Sequence, residues 1–572
     1  MIIKKIQKNI TCHVCRYFSI NIKLFDRIKR ITGFLRSNRG LVGAFACVVA
    51  YVIWASEYSI LRYVKFEASA FDLGIYAQGV WLISHGYYPF FDTVRGLPIF
   101  GDHATLILLL IAPLYRLCSR PEFLLIIQTV ALGVGGLAAY LVAASSLRSQ
   151  WLALVITIAY LLYAPVEWMN FWDFHPDIFA TPFLLFAILS LHRRRWIWFW
   201  LNIVCALGSK ETVGMAVGAF GLYVWAVTGW RKGSIVVLLG AFWTFFDLKL
   251  IQYFNGGVPS AYISDIYGQY GRSIPSILEY IVTHPILIFH QLLNEQNVLY
   301  IGEFLYPLAY LPFAAPEILP IMVPIFFINL LSASTPTHYI QYQYTAPIVP
   351  FMILGTIIGM NRCREWLRYI HVTTGYSSFI LGGMLLACSI YGWVTISPCS
   401  SLQNDHFRMW PKGLPIETSR IFEKELRGIP VDASISAQAA LIPHLSNRSN
   451  IYMFPNPFVQ LAWGNSVQAL KQQQGNYDII SSVNLALQFS SIKVDYIAIA
   501  PRTLQWPLFK SDQDRYVMNQ LFLSSHYGVI YAQNGLIILK RGANHRKGLE
   551  QLHRMQQKYP VELYAIHINK SK

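Results

Sequence analysis

Apolar runs constrain this chain more than any motif in it. They fall at 41–61, 122–144, 151–167, 213–229, 234–254, 298–314, 318–333, 345–360 and 376–396, and crossing about 30 Å of hydrocarbon takes roughly 20 helical residues. Three shorter runs, 104–115, 178–191 and 196–208, are ambiguous by length alone. Of the 572 residues 55% are hydrophobic and only 13% charged, against about 25% charged in an ordinary soluble chain, so a water-facing surface of this size could not be covered. The sequence describes a polytopic, mainly α-helical membrane protein.

Charge gives the helices a direction. A net charge of +17 would raise the question of nucleic acid in a soluble chain, but residues 1–40 hold ten Lys and Arg against the single acid Asp26. That placement marks 1–40 as a basic cytoplasmic segment, because basic flanks stay inside, and it argues for no nucleic acid partner. The run at 41–61 is too long for the apolar core of a cleaved signal peptide and reads as a first span. Arg193–Arg195, Arg231 with Lys232, and Arg362, Arg364 and Arg368 are further inside points. Parity then requires one run between 63 and 192 not to cross; the shortest, 104–115, becomes a juxtamembrane or re-entrant helix. Runs 196–208 and 213–229 become a hairpin with Ser209–Thr212 at its outer tip. The plan has about eleven crossings of the plasma (inner) membrane, a transmembrane domain over 41–397 and a large first outer loop at 63–121. Residues 274–293 interleave apolar residues with Glu279, His284 and His290, the pattern of one amphipathic helix on the outer interface.

From 398 the composition turns soluble. VDASISAQ, NIYMFP and DYIAIA read as short strands, and GVIYAQNGLIILKR reads as a hairpin turning at Asn534-Gly535. Residues 398–541 are expected to form a small extracytoplasmic α/β domain, followed by a basic tail, 542–572, as a surface helix or a partly disordered segment. Cys12 and Cys15 make one CxxC with His13 nearby, short of the four ligands of a closed zinc site. The eight cysteines are few for 572 residues, and Cys47, Cys118, Cys205 and Cys388 lie in or beside apolar runs, so no disulfide framework is indicated.

Ionisable groups at membrane depth cost several kcal/mol unless they face a cavity or a partner, so acids and histidines at span ends are the natural site candidates. Under this plan they gather outside. They are Asp72, then Asp102 and His103, then Asp173, His175 and Asp177, then Lys210 and Glu211 at the hairpin tip, and His338 with Tyr339. Each also has a purely structural reading. Asp72 could cap a helix starting at Leu73, Asp102 with His103 could cap the short helix, and the WDFHPD acids could cap one starting after Pro176. Lys210 and Glu211 could neutralise each other at a turn, and His338 with its tyrosines could be an interfacial aromatic belt. The chemical reading of the triple is that alternate positions of an extended segment point the same way. Two carboxylates and an imidazole so placed can hold a divalent cation or do acid–base work. No metal is assigned.

The stretch FDLGIYAQGVWLISHG, followed by GDH, WDFHPD, SKET, HYIQYQY and ISAQAALIPHLSNRSNIYMFP, resembles an uncharacterised family of bacterial multi-pass membrane proteins over about Leu41 to Lys540. That family in turn resembles the GT-C glycosyltransferases, membrane enzymes that take a sugar from a polyprenyl-phosphate carrier on the outer face. The resemblance implies a large first outer loop with juxtamembrane helices, a soluble C-terminal domain, and Asp72 as the acid that serves as base. Asp173, Asp177 and Glu211 carry over less directly. The first loop lacks a clear Asp-x-Asp, which speaks against a metal-dependent variant. For such a transfer, Lys210, His175 and His103 are the groups able to offset the leaving phosphate. Two other classes compete: a polytopic transporter or lipid flippase, which would show an internal repeat and a midplane site, and a non-catalytic envelope assembly protein.

Overall fold

The computed structural model describes residues 37–403, 412–458, 494–501, 503, 526–544 and 546–558. The CxxC, most of the basic N-terminal segment, the end of the tail and parts of the soluble region lie outside the described residues. The chain is mainly helical. Arg39–Val64, Pro121–Leu147, Trp230–Phe254 and Thr374–Ile396 are each long and apolar enough to cross a membrane. Gln150–Leu161 and Ala164–Phe171, bent by 43° at their break, are together long and apolar enough for a fifth candidate span or a re-entrant loop. Pro165 causes the bend: it has no N–H for the carbonyl of Leu161, and its ring crowds that carbonyl.

The remaining apolar runs give shorter helices, among them Leu108–Leu117, Trp196–Leu207, Val213–Thr228 and Leu319–Leu330. At 10 residues Leu108–Leu117 rises about 15 Å, half the hydrocarbon thickness. The run 298–314 is not one helix. Glu295–Leu305 gives way to two 3₁₀ turns, Tyr306–Leu308 and Leu311–Ala314, each carrying a proline, Pro307 or Pro312, that removes a donor. The single amphipathic helix expected over 274–293 is two helices, Ile274–Thr283 and Pro285–Leu292. Pro285 disfavours helical geometry at the residue before it, so His284 leaves the helix at φ −123°. Neither half buries much, and Leu278, Val282, Ile286 and Phe289 are exposed.

Large apolar side chains such as Phe45, Ile197, Phe242 and Phe379 face outward. Such an apolar exterior suits a lipid surround. Val213–Thr228 and Trp230–Phe254 pack most closely: a Cβ on Gly240 would stand 2.4 Å from the backbone nitrogen of Gly218. Glycine at both positions lets the backbones meet, as at small-residue helix interfaces in membranes.

Between the helices Arg39–Val64 and Pro121–Leu147, Phe91–Asp92 (β1) and Leu97–Pro98 (β2) make a small antiparallel ribbon. The C-terminal sheet has the order β4-β3-β5-β7-β6, with β3 at Ile435–Ala437, β4 at Ile451–Met453, β5 at Tyr496–Ile499, β6 at Tyr527–Gln533 and β7 at Leu536–Arg541. β3 runs parallel to β4 and β5, while β7 is antiparallel to β5 and β6. The β6–β7 turn is Asn534-Gly535 with φ of 56° and 90°, the two positive values that a two-residue hairpin of this twist needs. Alternation along the strands divides their side chains. Tyr496, Ala498, Leu536 and Ile538 join the core shared with the helices, and Ile497, Ile499, Ile537 and Leu539 join a second core with Leu552 and Met555. Those last two belong to the helix Arg546–Lys558, so part of the expected tail is a packed layer of the sheet region.

The sheet region rests on the segment between the first two membrane-length helices. Tyr115 donates to Asn447 Oδ1 at 2.7 Å, Asn447 donates to the Ser119 carbonyl at 2.6 Å, and Gln78 donates to the Arg448 carbonyl at 3.1 Å. Gly74, two residues past Asp72, packs against Ile442 so closely that a Cβ would come within 2.7 Å of its side chain.

Candidate functional site

Nearly every expected outer acid and histidine enters one buried polar seam. At one end the first helix supplies Arg62, which donates to the Phe171 carbonyl and lies 3.4 Å from Asp173 Oδ1. Asp173 Oδ2 also accepts from the Ser69 N–H at 3.1 Å. Next, His175 Nε2 lies 3.0 Å from Asp72 Oδ1, but at an angle that leaves neither ring nitrogen with a directed hydrogen bond. Asp177 Oδ2 then receives the Lys210 ammonium at 2.6 Å, and that ammonium sits 5.1 Å from the centre of the Tyr344 ring. Glu211 Oε1 meets His103 Nδ1 at 2.9 Å. His103 stacks on Tyr262, ring centres 5.2 Å apart and planes within 9°. Tyr262 donates to Asp102 at 3.0 Å, and Asp102 takes a two-pronged contact from Arg95 at 2.8 and 2.9 Å.

The capping readings fail for all three motifs. The helix after Asp72 starts at Ile75 with Gly74 as its cap, the short helix is preceded by Ile107, and the turn at Pro176 is preceded by His175; none has a side-chain cap bond. The expectation that Asp173, His175 and Asp177 point one way is also corrected. Asp173 takes a positive φ of 74° and Pro176 opens a 3₁₀ turn, so the segment is not extended and its three side chains go to Arg62, Asp72 and Lys210. Among the described residues no three His, Cys, Asp or Glu side chains converge as a metal-binding group. Lys210 and Glu211 do not neutralise each other; each takes a different partner. His338 is not brought into these contacts: its two ring nitrogens lie 2.7 Å from Asn297 Oδ1 and 2.8 Å from the Ser332 carbonyl. The far end of the same segment, Tyr342 and Tyr344, reaches the seam instead, and half-buried Tyr339 lies between.

Several members were not singled out from sequence. Gln128, buried in Pro121–Leu147, accepts from the His175 N–H at 3.0 Å and donates to the carbonyls of Asn170 and Asp173 at 2.9 and 2.8 Å, holding the WDFHPD loop against the helix. It is legible as an amide inside an apolar run. Arg62, Arg95 and Tyr262 show no such signal, because their partners lie 111, 7 and 160 positions away in sequence. Asp247 is fully buried in Trp230–Phe254 with neither carboxylate oxygen bonded.

Electrostatics ties the seam together. Burial, followed by the carboxylates of Asp177, Asp72, Asp102 and Glu211, raises the phenol of Tyr76 far above its ordinary value; one side chain senses all four acids. Burial opposes the charge on Asp102, but the Arg95 guanidinium, His103 and the Tyr262 hydroxyl outweigh it and hold the carboxyl down at about 2. Burial likewise opposes the charge on Glu211, and His103 and Lys210 hold it at about 2. Burial lowers His103, yet the facing Glu211 raises it on balance. For Asp173 burial wins over Arg62, and the carboxyl rises to about 6. Asp92, fully buried beside Arg95, is pushed by burial up to about 8.

These shifts fix a pH dependence. Asp102 and Glu211 are depressed, so their stabilisation is complete above about pH 4.3, the ordinary carboxylate range, and is lost as pH falls towards their folded values. His103 is raised, so its stabilisation is complete below about pH 6.5 and is lost as pH rises through its folded value. Thermal inactivation half-lives in detergent are expected to shorten on both sides of that window; the raised carboxyls of Asp173 and Asp92 also lose stability as pH rises, so Glu211→Gln should lessen the alkaline decline by the part that His103 contributes. A profile unchanged by Glu211→Gln would contradict the His103–Glu211 pair.

Residues 62–538 match the family described as "Predicted membrane protein (DUF2079)". The chain belongs to that family. Its matched region begins at Arg62 and takes in every residue of the seam. A comparison with curated proteins finds no match.

Proposed function

We propose that this protein transfers a hexosyl or pentosyl group from a polyprenyl-phosphate carrier to an acceptor at the outer membrane face, in the manner of the GT-C glycosyltransferases. The observation that carries the reading is the singular state of Asp72. Its side chain is 29% exposed, whereas those of Asp173, Asp102, Asp177 and Glu211 are 3–16% exposed. Three of those four are held by Arg or Lys and Glu211 by His103; among the described residues Asp72 has no Arg or Lys partner and faces the imidazole of His175. Asp72 also takes φ 82°, ψ −80°, close to the strained γ-turn geometry that non-glycine residues rarely occupy. Strain of this kind costs on the order of 1–3 kcal/mol and collects at functional sites.

Under this reading Asp72 accepts the proton of the acceptor hydroxyl while that oxygen bonds to the anomeric carbon. The bond from that carbon to the phosphate oxygen breaks, its electron pair leaves with the polyprenyl phosphate, and the anomeric centre inverts. Buried His175 faces that carboxylate at 3.0 Å. Lys210 and His103 supply the positive side of the seam, their charges balanced by Asp177 and Glu211 until the leaving phosphate arrives. The plan of about eleven crossings, with a cytoplasmic N-terminus and an extracytoplasmic sheet region in the plasma membrane, is part of this proposal. A direct test uses membranes holding the protein and a radiolabelled polyprenyl-phosphate sugar pool. Transfer above that of membranes without the protein supports the reading, and its absence with every hexosyl and pentosyl donor overturns it.

One observation favours transport instead. Asp247, buried within a span and unbonded, and Glu167, whose Oε2 is also unbonded, suit a proton relay. Proton-driven uptake into vesicles that is lost in Asp247→Asn would favour that second reading.

A further inference from the structure

A cavity of about 400 Å³ opens away from the acid seam, between the outer end of the first helix and the helix Ile416–Arg427 of the soluble region. Arg420, Lys424 and Arg427 stand on one stripe of that helix, at spacings of four and three, and all line the cavity. Arg427 is committed to Glu423 at 2.8 Å, and Glu423 also receives His444 at 2.8 Å. Arg420 and Lys424 have no acidic partner among the described residues. The wall opposite is stiff: the His444 ring lies stacked between Tyr63, at 4.2 Å and 13°, and Phe66, at 3.8 Å and 15°.

Ser419 supplies the second, independent sign of a ligand. It lines the cavity and is 1% exposed, and its hydroxyl has no hydrogen-bond partner. A buried hydroxyl without a partner costs about 1–3 kcal/mol, a deficit that an oxygen-rich ligand would remove.

We propose that this cavity binds a single phosphate ester, held by Arg420, Lys424 and the Ser419 hydroxyl. Two uncommitted cations and a hydroxyl match the charge and acceptor oxygens of one phosphate. Glu122, on the cavity wall with no cation paired to it, repels the further charges of a di- or triphosphate. The volume suits a headgroup-sized molecule. Tyr63 and Val64 end one membrane-length helix and Glu122 begins another, so a lipid phosphate and a soluble phosphate ester can both reach the cavity. The proposal does not depend on sugar transfer.

The test measures equilibrium binding of inorganic phosphate and of dihexanoyl phosphatidate to the full chain in detergent, with no sugar donor present. The expected result is saturable binding of at least one probe, weakened about 10- to 100-fold in Arg420→Gln/Lys424→Gln, the loss expected for two charged hydrogen-bonding partners. Ser419→Ala, which removes only the hydroxyl, should weaken it by about 3- to 10-fold. Tighter binding of phosphatidate assigns the site to a lipid headgroup, and equal binding assigns it to phosphate esters in general. Binding of neither probe, or equal binding by parent and double variant, would overturn the proposal. Arg420 and Lys424 are exposed, so their replacement leaves the fold to be checked by unchanged thermal unfolding.

Discussion

Asp72→Asn is expected to lower sugar transfer by about 10²- to 10⁴-fold, the usual contribution of a positioned general base, while the protein unfolds at an unchanged temperature. Both halves follow from the same geometry. The carboxylate caps no helix and has no Arg or Lys partner among the described residues; it faces the His175 ring at 3.0 Å and lies within electrostatic reach of Asp173. Asn keeps the shape and tolerates positive φ better than most residues, so the backbone at φ 82° survives and only the basicity is lost. Full transfer by Asp72→Asn would remove Asp72 as base. A large fall in unfolding temperature would mean that Asp72 holds the loop instead.

The largest stability effect is expected at Lys210 and Asp177. Their side chains are 7% and 3% exposed, and they meet at 2.6 Å. Removing one partner of such a pair strands the other charge and typically costs 3–5 kcal/mol. Lys210→Met leaves Asp177 with Oδ1 already unbonded and Oδ2 newly so, and should shorten the thermal inactivation half-life sharply. Replacing both, as Lys210→Met/Asp177→Leu, removes the stranded charge and should recover most of the loss, because an apolar pair of similar volume often equals a buried ion pair. A double variant as unstable as the single one would show that the pair matters through its other contacts, such as the Lys210 approach to Tyr344.

The helical character and the strands of the soluble region were legible: DYIAIA read as a strand and GVIYAQNGLIILKR as a hairpin turning at Asn534-Gly535. Charge parity led to the expectation that acids and histidines gather, and the seam joins eight of the ten candidates. The pairings were not readable. Arg62 and Arg95 look like ordinary flanking charges until the fold brings them to Asp173 and Asp102. The WDFHPD segment misled because alternation implies a shared direction only in extended backbone, and the positive φ of Asp173 breaks it. His338 stays apart from the seam, its ring meeting Asn297 from an unremarked stretch. Helix breaks at Pro165, Pro285 and Pro307 were each visible as single residues, but apolar composition alone runs through them.

The central claim is that the chain works on a polyprenyl-phosphate sugar. Mass spectrometry of lipids that stay bound to the full chain after purification from its membranes tests it most directly. The account predicts a polyprenyl phosphate or its glycosylated form in near-stoichiometric amount. Only bulk phospholipid on the protein, with no polyprenyl species even after purified polyprenyl-phosphate sugar is added, would contradict it.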